Sequence, residues 1–415
     1  MTSAAARPVA PALAAARHAD LAVTFASASE LRAYADQLAH LYDRALDDNL
    51  FLGPDFFLPL VAGSRHSRRV QAVLVWDGAP GRSDLVGFLP LARTLSQTMP
   101  LAIFRGFRHP LLSSSLPLVD AKAAEATWIA MLDALAASRF RAVLELDNLV
   151  RSSPALAALE SAAAKSGRLV AWSEPRERSQ IVPVSSCEEY LSGIRGKNRQ
   201  ELRRARRRLE ELGDVEFTAF EGEDLPRGID EFLRIEASGW KGKSGTAMAI
   251  DPEMYAFVRE ALTAKASRPG VRVELLSVGG KAIAANLFLL GRDHAGSLKS
   301  GYDESYRAFA PGKLLDLDAV RTLHSGRWTP RIDSLAQMGH AVEHVWLERL
   351  PIANALIAVT PHMDEEQFKL FQHFEAARLA GLRMLKDLYH RTTDARGNGW
   401  PLGRLGGSSR APNAS

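Results

Sequence analysis

Cysteine is nearly absent: Cys187 is the only one in 415 residues. That excludes an internal disulfide framework and a cysteine-based metal cluster. Cys187 carries no nucleophile signature, which favours a structural role. Long apolar runs are missing too. No stretch approaches the roughly 18 residues a membrane helix needs, so no integral membrane contact is expected. The first residues, 1–20, are Ala/Pro-rich with scattered arginines and lack the apolar core of a secretory signal. They read as a flexible lead, residues 397–415 as a disordered Gly/Ser/Pro-rich tail, and the cytoplasm as the simplest compartment. Nucleophile elbows of the G-x-S-x-G type do not occur. His340 and His344 flank Glu343, but a zinc-protease helix carries its glutamate directly after the first histidine, so no metal site is expected.

What is present is an ordinary globular composition, 47% apolar and 24% charged, with a net charge of +4. The length suits roughly two domains. The charge is uneven, because Arg195, Lys197, Arg199, Arg203, Arg204, Arg206, Arg207 and Arg208 crowd one segment. No aromatics are interleaved there, which disfavours a single-strand nucleic-acid platform. An anion-binding face and a merely solvated one both remain open, since guanidinium groups fork onto phosphate oxygens.

Apolar periodicity alternates between strand and helix, which predicts a mixed α/β sandwich. In the first half, strands are expected at 21–25, 71–76, 85–92, 142–146 and 168–172. Helices are expected at 29–46 (capped by Ser29), 123–137 and 153–166. A second cycle begins with one helix over 187–212, whose core stripe is Leu191, Ile194, Asn198, Leu202, Ala205, Leu209 and Leu212. A strand at 215–220 and helices at 225–237 and 254–266 follow. Strands 271–277 and 282–290 flank Gly279-Gly280, glycines suited to a positive-φ turn. A strand over 295–302, a helix opening at Pro311, a strand near 331–335, an apolar run 352–359 and a helix over 364–390 complete the order.

The stretch from His294 to Leu323 holds the most chemistry. A strand ends in Lys299-Ser300-Gly301-Tyr302-Asp303, and Pro311-Gly312-Lys313 opens a helix. Proline suits the first helical turn, Gly312 permits close approach to the backbone, and the first amides of a helix are unpaired donors. A phosphate fits such a helix start, with Lys313 as counter-charge. A second segment, Glu236-Ala-Ser-Gly-Trp240-Lys241-Gly-Lys243-Ser244, ends like a phosphate-binding P-loop. The first glycine of that pattern would fall at Ala237 and a helix precedes it, so nucleotide hydrolysis is excluded. What remains is a cationic glycine-rich loop suited to ligand contact.

Gly196-Lys197-Asn198-Arg199, the Glu236 to Lys243 segment, and Lys299-Ser300-Gly301-Tyr302-Asp303 followed by Pro311-Gly312 occur together in one order. In this they resemble the BioF2-like or CelD/BcsL-type acetyltransferases, a branch of the GNAT superfamily related to FemAB-type aminoacyltransferases. The resemblance implies two tandem GNAT-like domains, 21–184 and 185–396, each a mixed central sheet flanked by helices. It implies acyl transfer from acetyl-CoA to an amine or hydroxyl of a small-molecule or saccharide acceptor, in polysaccharide or envelope biosynthesis. Transfer from aminoacyl-tRNA and a catalytically silent scaffold are the alternatives. Donor contacts are expected from Ser300, Gly301, Tyr306, Pro311, Gly312 and Lys313. Acceptor contacts are expected from Trp240, Lys241, Lys243, Asp303, Arg199 and Arg203. Glu236 and Asp333 are candidate bases, Lys299 a charge-bearing or orienting group, and Tyr302 an acid for the departing thiolate.

Overall fold

Two sheets and the helices around them make up the computed structural model, which describes residues 21–63, 70–92, 102–137, 141–239, 245, 247–264 and 267–394. The expected lead at 1–20, the tail at 397–415, and Trp240, Lys241 and Lys243 lie outside those residues. The chain begins with β1 (Leu21–Ser27), α1 (Ala28–Leu31), α2 (Ala35–Arg44), α3 (Pro54–Gly63), β2 (Val70–Asp77) and β3 (Asp84–Ala92). It continues through β4 (Ala102–Arg105), β5 (Leu118–Val119), α4 (Ala124–Ala136), β6 (Arg141–Val150), α5 (Pro154–Lys165) and β7 (Val170–Ile181). The second half contains α6 (Cys187–Gly193), α7 (Gly196–Glu210), β8 (Val215–Phe220), α8 (Leu225–Ser238), α9 (Pro252–Ala261) and β9 (Gly270–Val278). It closes with β10 (Lys281–Leu290), β11 (Ala295–Tyr302), α10 (Pro311–Gly326), β12 (Ile332–Asp333), β13 (Glu348–Ala358) and α11 (Glu365–Asp394).

The smaller sheet runs β1-β2-β3-β5 and the larger β4-β6-β13-β7-β12-β11-β10-β9-β8. This is a mixed α/β architecture with sheets flanked by helices. The β9–β10 hairpin turns through Gly279 and Gly280, whose φ values of 53° and 78° a side chain would resist. The first helical stretch is capped by Ser27 rather than Ser29, and the Ser27 amide donates to Glu30 at 2.7 Å. The stretch 187–212 is two helices, not one. Ile194 and Arg195 take extended backbone (ψ 134° at each), and Ile194 is buried. Leu212 lies beyond the end of α7 and is 56% exposed, so it leaves the core stripe.

β13 was legible as an apolar run but not in its place. It pairs antiparallel with β6 on one side and β7 on the other, between strands that precede it by some two hundred residues. α11 then covers that part of the sheet, and its Phe368 and Phe371 bury against Ile103, Val143 and Leu356. Burial of each aromatic is worth roughly 1.5–3 kcal/mol. Glu375 adds a forked bond from Arg105 at 2.9 and 2.7 Å.

In the second half, α8 and α10 take opposite faces of the sheet. Ala285, Leu287 and Leu289 of β10 pack with Ile229, Phe232 and Leu233 of α8. Ala284 and Phe288 pack with Leu314, Leu315 and Ala319 of α10. The period of two along a strand thus sorts the side chains of β10 and β11 between two environments.

Candidate active site

β12 is two residues long and parallel to β11, pairing only as Ala295↔Ile332 and Gly296↔Asp333. Past Gly296, β11 keeps its ladder with β10 on one side and has no strand partner on the other among the described residues. The sheet opens there. A strand edge of this kind offers backbone N–H and C=O groups to an extended ligand.

On the α8 face of the opening lie Lys299 and Gly301, in register with Leu287 and Ala285. Lys299 Nζ meets Glu236 Oε1 at 3.1 Å. The other carboxylate oxygen of Glu236 accepts the Met248 amide at 2.9 Å. The Glu236 side chain is fully buried, whereas that of Lys299 is 24% exposed. Gly301 allows this approach: a Cβ there would stand 3.3 Å from Glu236 Cα, tighter than most such contacts.

On the α10 face lie Ser300 and Tyr302, in register with Asn286 and Ala284. Ser300 is exposed and Tyr302 half-buried. Burial, with Glu304 adding to it, pushes the Tyr302 phenol above its usual range, so it keeps its proton. Tyr306 packs at 6.2 Å from Phe309 and lies under Lys281 Nζ at 5.2 Å. α10 opens from Ala310, which holds a left-handed φ of 47°. Pro311 is buried, while a Cβ on Gly312 would meet only Tyr302 Cδ1, at 3.9 Å. The first turn is therefore open to approach. Lys313 and Ala310 line a small cavity with Asn198, Glu201, Leu202, His344 and Val345.

Other expected residues are placed elsewhere. Asp303 caps the turn after β11, accepting from the Ser305 amide at 3.0 Å and from Lys281 at 2.9 Å. Those hydrogen bonds hold its carboxyl down at about 2. Asp333 does not join Glu236 and Lys299; it pairs with Arg178 Nη2 at 2.8 Å and accepts the Leu335 amide at 2.9 Å. Arg199 turns toward the Leu191 carbonyl at 3.4 Å, while Arg203 is exposed on the outer side of α7. His340 caps a short turn, its Nδ1 accepting the Val342 amide at 3.3 Å.

Sequence reading missed Asp316. It sits on the inward side of α10, three and four residues before the buried Ala319 and Val320, and accepts from Asn286 Nδ2 at 3.3 Å. An acid on an apolar stripe was the available signal. Removal from water pushes its carboxyl up to about 7, with Glu274 adding repulsion. Arg178 was also missed, because its importance depends on which strand lies beside β12.

Residues 196–337 match the family model described as the acetyltransferase (GNAT) domain. The matched span contains α7, Glu236, Lys299 and the start of α10. No curated protein matches the chain. Among solved structures, the C-terminal domain (DUF2156) of a putative lysylphosphatidylglycerol synthetase from Agrobacterium fabrum is similar at 13% identity, covering 80% of this chain and 92% of that one, with a TM-score of 0.49. FemX is similar at 9% identity, covering 81% and 98%, with a TM-score of 0.49. A tandem GNAT protein from the clavulanic acid biosynthesis pathway is similar at 14% identity, covering 83% and 100%, with a TM-score of 0.37.

Two outcomes follow from this geometry. Lys299→Met removes the Lys299 cation from beside the buried Glu236 carboxylate and costs about 3 kcal/mol in urea unfolding, and adding Glu236→Gln recovers most of that loss. Losses that simply add would show the two groups to be uncoupled. Asp316 binds its proton more tightly folded than unfolded, so between about pH 4 and 7 the folded state holds the extra proton and stability falls as pH rises. Asp316→Asn removes that term, so its melting temperature gains on wild type from pH 5 to pH 8. A constant difference across that range would contradict the assignment.

Proposed function

We propose that the chain is an acyltransferase that moves an acetyl or other acyl group from coenzyme A to an amine or hydroxyl acceptor. The observation that carries this reading is the opening beside β11 with the start of α10, open at Gly312, at its end, inside the segment that matches the acetyltransferase domain. The donor's pantetheine arm adds along the free edge of β11, between Ser300 and Tyr302. Its pyrophosphate sits on the first-turn amides of α10, where the helix dipole and Lys313 favour negative charge. The two tandem domains expected from the sequence belong to the same proposal.

The acceptor approaches from the α8 face. Its nitrogen or oxygen lone pair forms the new bond to the thioester carbonyl carbon, the carbon–sulfur bond breaks, the acceptor's N–H or O–H proton passes to water, and the thiolate takes a proton that water then returns to the donor group. Tyr302 is protonated and flanks the donor path, which suits it to supply that proton. Lys299 is the partly exposed member of the pair, so it orients the acceptor or stabilises the oxyanion. Both oxygens of Glu236 are already engaged, which makes it a positioning residue for Lys299 rather than the base. Asp333, held by Arg178, fixes the point from which β11 and β12 part.

The exposed arginines of α7 favour a second reading, transfer from aminoacyl-tRNA, in which phosphate contacts would make binding fall steeply with salt. Calorimetric titration with acetyl-CoA and coenzyme A separates the two. Wild type binds both at micromolar concentrations. Gly312→Trp, whose Cβ meets only Tyr302 Cδ1 at 3.9 Å, weakens binding by at least about tenfold in a variant that circular dichroism shows to be folded. No binding to wild type would overturn the coenzyme A reading and leave the tRNA reading standing.

A further inference from the structure

Three sides of α7 differ. Leu202, Ala205 and Leu209 are buried. Arg199 and Arg206 are occupied nearby, Arg199 by the Leu191 carbonyl and Arg206 by Glu210 at 2.8 Å and the Phe217 ring at 5.6 Å. A third ridge carries Lys197, Glu201, Arg204 and Arg208 at spacings of three and four, so they stack along one side of the helix. That ridge faces the turn into α10: Arg208 lies over Phe309 at 5.0 Å, and Glu201 shares the small cavity with Ala310 and Lys313.

Glu201 is the ridge's one carboxylate, and Lys197 stands 4.0 Å from it. Arg204 and Arg208 are exposed and have no carboxylate partner among the described residues. Two cationic positions therefore lie on neighbouring elements, Lys313 with the first turn of α10 and the Arg204–Arg208 step of α7, joined by the Arg208–Phe309 contact and the cavity that Glu201 shares with Lys313. A ligand that uses both must carry two separate anionic groups. Coenzyme A has such a pair, its pyrophosphate and the 3′-phosphate on its ribose.

We infer that Arg204 and Arg208 bind the 3′-phosphate of the coenzyme A donor. This rests on the donor reading above, and it makes α7 a determinant of which thioester the protein accepts. A phosphate monoester presents three oxygens to two forked guanidinium groups, a better match than a lone lysine gives. Arg199 and Arg203, expected from the sequence as acceptor contacts, stand apart from this donor assignment. Arg199 is turned inward, and Arg203 lies away from the ridge that meets α10.

The test compares coenzyme A with dephospho-coenzyme A, which lacks only the 3′-phosphate, by calorimetric titration. Wild type and the Arg204→Ala/Arg208→Ala double variant are both measured, with circular dichroism confirming that the variant is folded. Wild type prefers coenzyme A by at least about tenfold, the size expected for charge-assisted phosphate contacts. The double variant binds dephospho-coenzyme A as wild type does and loses the preference. Equal wild-type affinity for the two ligands would overturn the inference while leaving the donor site standing. A double variant that weakens both ligands equally would overturn it too, because the arginines would then act elsewhere. Failure of wild type to bind either ligand would overturn the donor reading and this inference with it.

Discussion

Two backbone pairings, Ala295↔Ile332 and Gly296↔Asp333, hold the site in place. β12 touches β11 on one side and β7 on the other, and among the described residues it is the only strand that joins the halves of the nine-stranded sheet. Because it stops after two residues, the sheet is continuous at one level and parted above it. Arg178 of β7 grips Asp333 across that joint at 2.8 Å, with both side chains buried. A buried pair of this kind gains little net stability over an apolar one but is costly to break, so it favours a fixed geometry at the joint. The parting leaves β11 with a free edge, and the start of α10 lies at the end of it.

Strand alternation then divides the labour. Residues 299 and 301 look toward α8 and residues 300 and 302 toward α10, so one short run serves two sides of a cleft. The α8 side carries a charge pair, Lys299 and Glu236, whose buried member is held by a backbone amide as well. The α10 side carries phenols and a helix start with space above Gly312. Charge on the first side suits an acceptor or an oxyanion, and the helix start on the second suits phosphate. α7 packs against that same helix start, which gives its cationic ridge a place in the account.

Much of this was legible along the chain and little of it across. β11 falls on the residues expected, as does the helix opening at Pro311, because proline, glycine and period-two alternation are local signals. The Glu236 and Lys299 segments were both singled out, yet their pairing depends on α8 lying over β11. Asp333 was a candidate base beside Glu236, and in the structure it pairs with Arg178 instead. The insertion of β13 between β6 and β7 leaves no trace in the sequence, since an apolar strand does not name its neighbours. The break at Ile194-Arg195 was missed for a related reason: the stripe of spacing three and four continues through it. Asp316 stood in plain view among leucines, and only its contact with the buried Asn286 marks it as unusual.

Hydrogen–deuterium exchange on the full chain, with and without saturating coenzyme A, tests the central claim most directly. The account predicts slowed exchange confined to the free edge of β11, the first turn of α10 and the facing side of α7. Protection confined to the first half of the chain, or none at all, would contradict the placement of the donor in the parted sheet.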